Sequence, residues 1–592
     1  MKKVKLALQL DPGFNPYKVK REEISGCRET LVRFAHPVAR QTSSESVQPH
    51  AQHRFRLTTE RRCDGAEMIH RIPRSLLVFS QRLRPAIMPR IRFAAPNLPQ
   101  CHFVLLLLLV RLTCPQVGLG QDNKLVQFQP GRRQLFLDDY AISSMKHLTQ
   151  TLHQPEKRGA VITPQRPWEK YLVQTRSVPA WDEELNLFKL WVNAIDREPN
   201  FMAGPTYFES KDGIHWTRPI LRQFEYGGSR ENNILAIDPK LKWPARAITN
   251  VIRDPHDPDS ARRYKGFLGK GRDRRPIVSP DGIHWHQLNV PVLRSSDESN
   301  LSYDPISSTF IATLKHTGRF GRAHAISTSR DFEHWTKPKL LYQADAEDQE
   351  LGKTRILARL ADPKLQDPVY NHPSYYKVDI YNVAVFRYED LFIILPSMFH
   401  ITGPRPNGNV DGFKHIQLAC TRDLKSWTRL ASREPFIDTS PIGDAWDTMV
   451  MLPPSAPLAR GDELWFYYSA SKYRGTPPSP PPHRGAVCLA VLRRDGFMSL
   501  DAGDKQGTLL TKLFATCASS LHLNIDSADG AIVVEVLSRE GNVLAVSKPM
   551  SEDEPRRRIV WAEGDLADVA GKTIRLRFHL RNARMFSFWL DG

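Results

Sequence analysis

Along the 592-residue chain, apolar positions fall into short runs divided by Gly, Pro, Asp and Asn, and the order of those runs repeats. Aromatic or apolar runs stand at LFKLWVN (187–193), RYKGFLG (263–269), TFIATLK (309–315), LFIILPS (391–397) and LWFYYSA (464–470). The first four are each followed by a second run (PTYFES, RPIVS, AHAIST, IQLACT) and then by one phrase: Ser or Thr, Asp two residues later, Trp four residues after the Asp. It occurs at Ser210–Trp216, Ser279–Trp285, Ser329–Trp335 and Thr421–Trp427. After the fifth run, GAVCLAVLRRDGF keeps Asp495-Gly496 and has Ser499 in place of the Trp. Asp-Gly between alternating runs predicts tight hairpins, with the Trp packed over the turn.

Upstream of each aromatic run lies a polar segment with a carboxylate. These are Pro167-Trp168-Glu169, Arg230-Glu231-Asn232-Asn233, Asp297-Glu298-Ser299-Asn300, Asp379-Ile380-Tyr381-Asn382 and Asp444-Ala445-Trp446-Asp447. Each unit therefore reads as a polar-headed inner strand, an aromatic strand, a hairpin to a third strand, and an outer fourth. Four antiparallel strands repeated five times predict an all-β, five-bladed β-propeller over residues 121–505. The run RRQLFLDDYAI (132–142) is expected to complete the last blade. From about residue 506 the runs SLHLNIDS, AIVVEVLS, RRIVWAE and TIRLRFHL alternate at period two, which predicts a small β-sandwich over 506–592.

Composition is that of a loop-rich globular β protein, with 41% hydrophobic residues, 45 Pro and 12 Trp. The net charge of +19 is concentrated before residue 121, where 20 basic residues face 8 acidic ones. The remainder is only mildly basic, so no nucleic-acid footprint is expected. Of seven cysteines only Cys420, Cys488 and Cys517 lie in the predicted folded body, which is no disulfide framework. The apolar run FVLLLLLV (103–110) is too short to span a bilayer. With Arg90 and Arg92 before it and Gly118-Leu119-Gly120 after it, it has the layout of a secretory signal over 88–120, starting at Met88. Residues 1–87 are then an extension without apolar periodicity. A secreted or periplasmic protein without a transmembrane anchor is expected.

The polar heads of the inner strands would meet around one funnel. Glu169, Glu231, Asp297 or Glu298, Asp379, and Asp444 or Asp447 are the candidate rim acids. Two carboxylates facing across a sugar bond are what glycoside hydrolysis needs, and crowding drives their pKa values apart. The first candidates are Asp379 and Glu231, then Glu169 and Asp447. Trp168 and Trp446 could stack on sugar rings, with Asn233, Asn300, Tyr381 and Asn382 as hydrogen-bonding neighbours. The repeated Asp212, Asp281, Asp331 and Asp423 are read as turn residues. The histidines show no metal-ligand spacing, so no metal or cofactor is assigned, although the rim acids are hard ligands of the type Ca²⁺ takes.

The hairpins at 210–216, 279–285 and 421–427 resemble those of the five-bladed propeller glycoside hydrolases of families 32 and 43, and a following β-sandwich is similar to family 32 in particular. Arg253-Asp254-Pro255 matches the Arg-Asp-Pro motif of family 32, while its Asn-Asp-Pro-Asn and Glu-Cys motifs are absent. The resemblance implies a glycoside hydrolase acting on a poly- or oligosaccharide. A non-catalytic binding propeller and a Ca²⁺-dependent lyase or hydrolase remain open beside it. Mass spectrometry of the mature native protein is expected to find an N-terminus at Gln121 and no peptide from residues 1–87; any such peptide would exclude Met88 as the start.

Overall fold

The computed structural model describes residues 125–197, 201–237, 247–477 and 483–592. The extension and signal assigned to residues 1–120 lie outside the described residues. Strands dominate, and a single α-helix, Ala346–Ala361, occurs among the described residues.

Outside the sandwich the strands run as five successive antiparallel groups, the first and fifth joined into one sheet by a parallel bridge between Leu172 and Gly485. Group 1 comprises Leu172–Gln174, Ala180–Asp182, Leu187–Arg197 and Phe201–Ser210. Group 2 comprises Ala247–Arg253, Tyr264–Lys270, Asp273–Ser279 and His286–Gln287, and group 3 Ser299–Asp304, Thr309–Gly318, Gly321–Ser329 and Lys339–Tyr342. Group 4 runs through Lys377–Tyr388, Leu391–Pro404, Val410–Ile416 with Ala419–Thr421, and Thr428–Arg429. Group 5 comprises Val450–Leu452, Glu463–Ser471 and Gly485–Arg493, and its fourth strand is Glu156–Ile162, from before group 1. Strands covered on both faces by neighbouring groups explain why runs such as LFIILPS are apolar throughout rather than alternating.

The closing strand differs from the one expected. Within 132–142, Gln134–Leu135 pairs with Ala583–Asp591, and Ile142–Lys146 pairs with Gly507–Thr511. Phe136 joins Leu509, Phe578 and Phe588 in the sandwich core. The sandwich thus takes strands from both ends of the described chain. Its first sheet contains Thr149–Leu152, Met498–Ala502, Ala583–Asp591, Ser520–Asp526 and Asp553–Arg558. Its second contains Ile142–Lys146, Gly507–Thr511, Thr573–Arg581, Ala531–Ser538 and Val543–Ser547.

The repeated turns are built as their chemistry requires. In the first, the Ser210 hydroxyl accepts from the Gly213 amide, and Asp212 Oδ1 accepts from the amides of Ile214 and His215 at 2.8 Å. Trp216 closes the turn by donating from Nε1 to the Gly213 carbonyl. Asp281, Asp331 and Asp423 repeat this geometry. For Asp281, burial raises the pKa, but the donors of the turn outweigh it and hold the carboxyl at about 2.

Each turn also receives a side chain from the preceding group. Trp191 Nε1 donates to the Gly282 carbonyl at 2.7 Å. Phe267 stacks on Phe332 at 5.7 Å, and Tyr342 lies 5.6 Å from Trp427. The Tyr388 hydroxyl donates to Asp495 Oδ1 at 2.7 Å, and the Tyr467 hydroxyl to the Gly213 carbonyl at 2.9 Å. The last contact joins group 5 to group 1 and closes the cycle. Asp495, fully buried, also accepts from Arg133 Nη1 and Ser587 Oγ at 2.6 Å, and from Asn524 Nδ2 at 3.3 Å, so the fifth turn fastens the sandwich to the ring.

Gly282 combines a φ of +82° with a closeness that leaves no room for a methyl group, since a Cβ would stand 2.4 Å from Trp191 Cζ2. Gly282→Ala is expected to cost roughly 2–4 kcal/mol, from overpacking and left-handed strain together. Gly271→Ala, at φ +59° with nothing within 4 Å, should cost only the strain, about 1 kcal/mol. Urea midpoints at unchanged m-value check the pair.

Candidate functional site

Asparagines of three inner strands meet in one hydrogen-bonded chain. Asn250 Nδ2 donates to Asn300 Oδ1 at 2.9 Å, and Asn300 Nδ2 to Asn382 Oδ1 at 3.3 Å. Asn382 Nδ2 donates to Glu298 Oε2 at 3.1 Å. Arg176, from group 1, grips the same carboxylate through Nε and Nη2 at 3.0 and 2.9 Å. All three asparagines are buried and mutually satisfied, so Asn300 and Asn382 build the floor of the site. Burial raises the Glu298 pKa, but Arg176 and Lys315 outweigh it, and the carboxyl is held at about 2.

Above this floor sits Tyr381. The strand pairing skips a residue between Ile380 and Asn382, a bulge that re-aims the Tyr381 side chain. Four cations surround its ring: Lys414 Nζ at 3.1 Å from the centroid, Lys315 Nζ at 3.9 Å, Arg474 Cζ at 5.7 Å and Arg322 Cζ at 6.0 Å. Asp379, two residues before Tyr381, is buried, with Oδ2 bonded to Arg322 Nη1 at 2.8 Å. Its Oδ1 is buried and has no hydrogen-bond partner. Gly321, at φ +118°, lets the carboxylate lie against its backbone; a Cβ there would come within 3.0 Å of Oδ2.

The other sequence candidates stand elsewhere or are already engaged. Glu169 is fully buried in the turn Pro167–Glu169, with Oε1 on Arg218 Nε at 2.9 Å and Oε2 on the Gln165 amide at 2.9 Å. Glu231 is an exposed loop residue paired to Arg222 Nε at 2.8 Å. Asp447 accepts from Lys157 Nζ at 2.8 Å and from the Tyr468 hydroxyl at 2.9 Å, which pins the closing strand to group 5. Asp444 is exposed, and Asp297 is exposed and paired with Lys315. Trp168 is half-buried and donates to Asn233 Oδ1 at 3.0 Å, with its ring edge-on to Tyr226. Asn233 donates in turn to the Tyr207 carbonyl. Trp446 is half-buried with Lys472 Nζ 4.7 Å above its ring. One funnel ringed by five acids is therefore not what the side chains form.

Asp254, in the Arg-Asp-Pro match, is buried beyond the far end of Ala247–Arg253 and is bonded to Lys265 Nζ at 2.8 Å, a fastening between strands. His400 and His415 are buried side by side, and burial pushes His400 down to about 3. Among the described residues no three His, Cys, Asp or Glu side chains gather as a metal site. Cys420, Cys488 and Cys517 are free thiols. No described helix is long and apolar enough to cross a membrane.

Arg176, Lys315, Arg322, Lys414 and Arg474 all lie outside the carboxylate-bearing polar heads of the repeats. Lys315 closes the aromatic run TFIATLK, and Lys414 interrupts the buried strand VDGFKHI; a lysine inside a buried strand is the one local signal available.

Glu298 has its pKa lowered on folding, so its pairing stabilises the protein above the unfolded value of 4.5 and is lost as pH falls through about 2. Glu298→Gln is expected to lower stability by an amount on the order of 3 kcal/mol above pH 5. The gap to wild type should narrow between pH 4.5 and 2, as read by melting temperature against pH.

No family model matches the chain, and no curated protein matches it. Solved structures are similar at low identity. One is an α-L-arabinofuranosidase from Podospora anserina in complex with cellotriose, 12% identical, with 58% of this chain and 98% of that chain covered and a TM-score of 0.34. A family 43 arabinoxylan arabinofuranohydrolase from Bacillus subtilis is 11% identical, covering 70% of this chain and 79% of that chain at a TM-score of 0.24. The Bombyx mori family 32 β-fructofuranosidase is 10% identical, covering 74% of this chain and 93% of that one at a TM-score of 0.31.

Proposed function

We propose that the protein is a secreted carbohydrate-active enzyme, a glycoside hydrolase that works on a poly- or oligosaccharide at the mouth of a five-bladed ring. The observation that carries this reading is the state of Asp379. One carboxylate oxygen is held by Arg322 and the other is buried without a partner. A carboxylate fixed at one oxygen and unpaired at the other keeps an acceptor free for a proton from water or a sugar hydroxyl once the cover over Oδ1 moves aside. Tyr381 offers an aromatic edge beside it, and the Glu298–Arg176 pair offers a fixed charge for sugar hydroxyls. Glu298, held at about 2, is ionised at neutral pH and acts here as an acceptor, not a proton donor.

A second reading, binding without hydrolysis, is favoured by a specific feature. Glu169, Glu298 and Asp447 are each closed by a basic partner, as a purely structural or binding role would have them.

The test is release of reducing ends from a panel of plant, algal and sulfated polysaccharides. Asp379→Asn is expected to lower the rate by about 10²–10⁴-fold, with the circular dichroism spectrum unchanged. Glu231→Gln, in an exposed ion pair, should leave it within about twofold. Binding without release by the wild type would establish the second reading.

A further inference from the structure

The basic residues at the site outnumber the acids that could neutralise them. Arg176 is spent on Glu298, Arg322 on Asp379 and Lys315 on Asp297. Lys414 and Arg474 form no ion pair with a carboxylate among the described residues, and Glu298, already paired with Arg176, acts on Lys414 only at longer range. Lys414 is 1% exposed, and its ammonium lies over the Tyr381 and Phe399 rings at 3.1 and 4.9 Å without a hydrogen-bond acceptor. Burial, then the nearby Arg474 and Lys315, push its pKa well below the ordinary lysine value. Arg474 Nε is likewise buried without a partner. The remaining groups do not answer the charge. Burial and then Lys315 push His324 down to about 3, leaving it neutral, and its Nε2 faces the Tyr381 carbonyl. Asp411, buried and packed on Gly475, accepts from the Tyr370 amide at Oδ2 and leaves Oδ1 unpaired, but makes no ion pair with Arg474 or Lys414.

A buried cation without an anion is costly, and removing a partner from such a pair is among the most destabilising changes known. The buried Lys414 and the half-buried Arg474 beside one aromatic ring, on a floor fixed by the asparagine chain, form a receptor for a counter-charge. We propose that the axial site takes an anionic glycan unit, a sugar bearing a carboxylate or a sulfate ester, whose charge is received by Lys414 and Arg474. This rests on the reading that the mouth of the ring receives a glycan. The two ligand groups share their chemistry: a compact oxyanion with several acceptors, which a guanidinium can engage through two donors and an ammonium through one. Tyr381 then packs against the sugar face while the charge is held beside it.

The experiment is calorimetric titration with matched oligosaccharides of one backbone: neutral, carboxylated and sulfated. Inorganic sulfate alone is run by thermal shift, and wild type, Lys414→Met and Arg474→Gln are compared. The expected result is at least about tenfold tighter binding of one anionic form over its neutral match. That preference should be lost in both variants, while affinity for the neutral form is retained. The preferred form, carboxylated or sulfated, identifies the group. Lys414→Met should also melt higher than wild type without ligand, since it removes a buried charge; if it fails to fold, the half-buried Arg474→Gln decides alone. Equal affinity for neutral and anionic forms would overturn the inference and leave the glycan reading standing. No binding of any glycan, with sulfate still raising the melting temperature of the wild type only, would overturn both the glycan reading and a glycan-borne charge.

Discussion

A side chain from one group seated in the turn of the next is the contact on which this architecture turns. At Gly213 and Gly282 the turn carbonyl accepts from Tyr467 and Trp191, and the space of the missing Cβ is taken by the Tyr467 hydroxyl and the Trp191 ring. At Phe332 and Leu424 the same left-handed position carries a large side chain, with φ of +66° and +58°. That backbone costs about 1–2 kcal/mol, and for Phe332 full burial against Phe267 and Phe310 offsets it. The fifth turn has no Trp, and its Asp495 is turned over to Arg133, Ser587 and Asn524. Four turns of one type join successive groups, and a fifth, with its left-handed residue at Asp495 itself, joins group 4 to group 5 and the ring to the sandwich.

What could be read from the chain was what is local. The Ser-x-Asp-x-x-x-Trp turn satisfies its own donors within seven residues, so its sequence suffices to predict it, and Asp212 and its counterparts take the turn role assigned to them. The capped helix at Ala346–Ala361 was also local, with Asp345 and Asp348 forming a reciprocal cap, but it lies in the loop between two repeats and was overshadowed by them. The closing strand was harder. RRQLFLDDYAI looks more like a buried strand than EKRGAVI, and its apolar side chains are buried, but it pairs only at Gln134–Leu135 and Ile142, with sandwich strands, and Leu135 and Leu137 pack between groups 4 and 5. The strand that closes the ring lies at its outer edge, where polar side chains face solvent and apolar content is no guide.

The site was legible only in part, because the partners of its acids are distant in sequence. Glu169 meets Arg218 and Glu298 meets Arg176 across 49 and 122 residues. No spacing rule separates an acid fastened in this way from one left open. Asn300 and Asn382 stand in the polar heads read from the sequence, but the third member of the ladder, Asn250, lies in Ala247–Arg253 and not in Arg230-Glu231-Asn232-Asn233, the segment that the repeat pattern assigns to the second unit's inner strand. That ladder fixes a floor, while Lys315, Arg322 and Lys414 come from second and third strands, which the repeat pattern treats as core, and Arg474 from the loop after Glu463–Ser471.

Drawing the last fourth strand from ahead of the first group has a consequence for synthesis. As the chain leaves the ribosome, Glu156–Ile162 emerges more than three hundred residues before its partner Gly485–Arg493. The strands at 134–152 wait longer still, for partners between 498 and 591. Groups 2 to 4 can form as they appear, each from contiguous chain. The edges of the opening segment stay unpaired until synthesis is nearly complete, and long-range pairings of this kind are slow and expose strand edges to other chains. The polar sequence EKRGAVI suits a strand that must spend that interval in water: its charges keep the edge soluble until the ring is ready to take it.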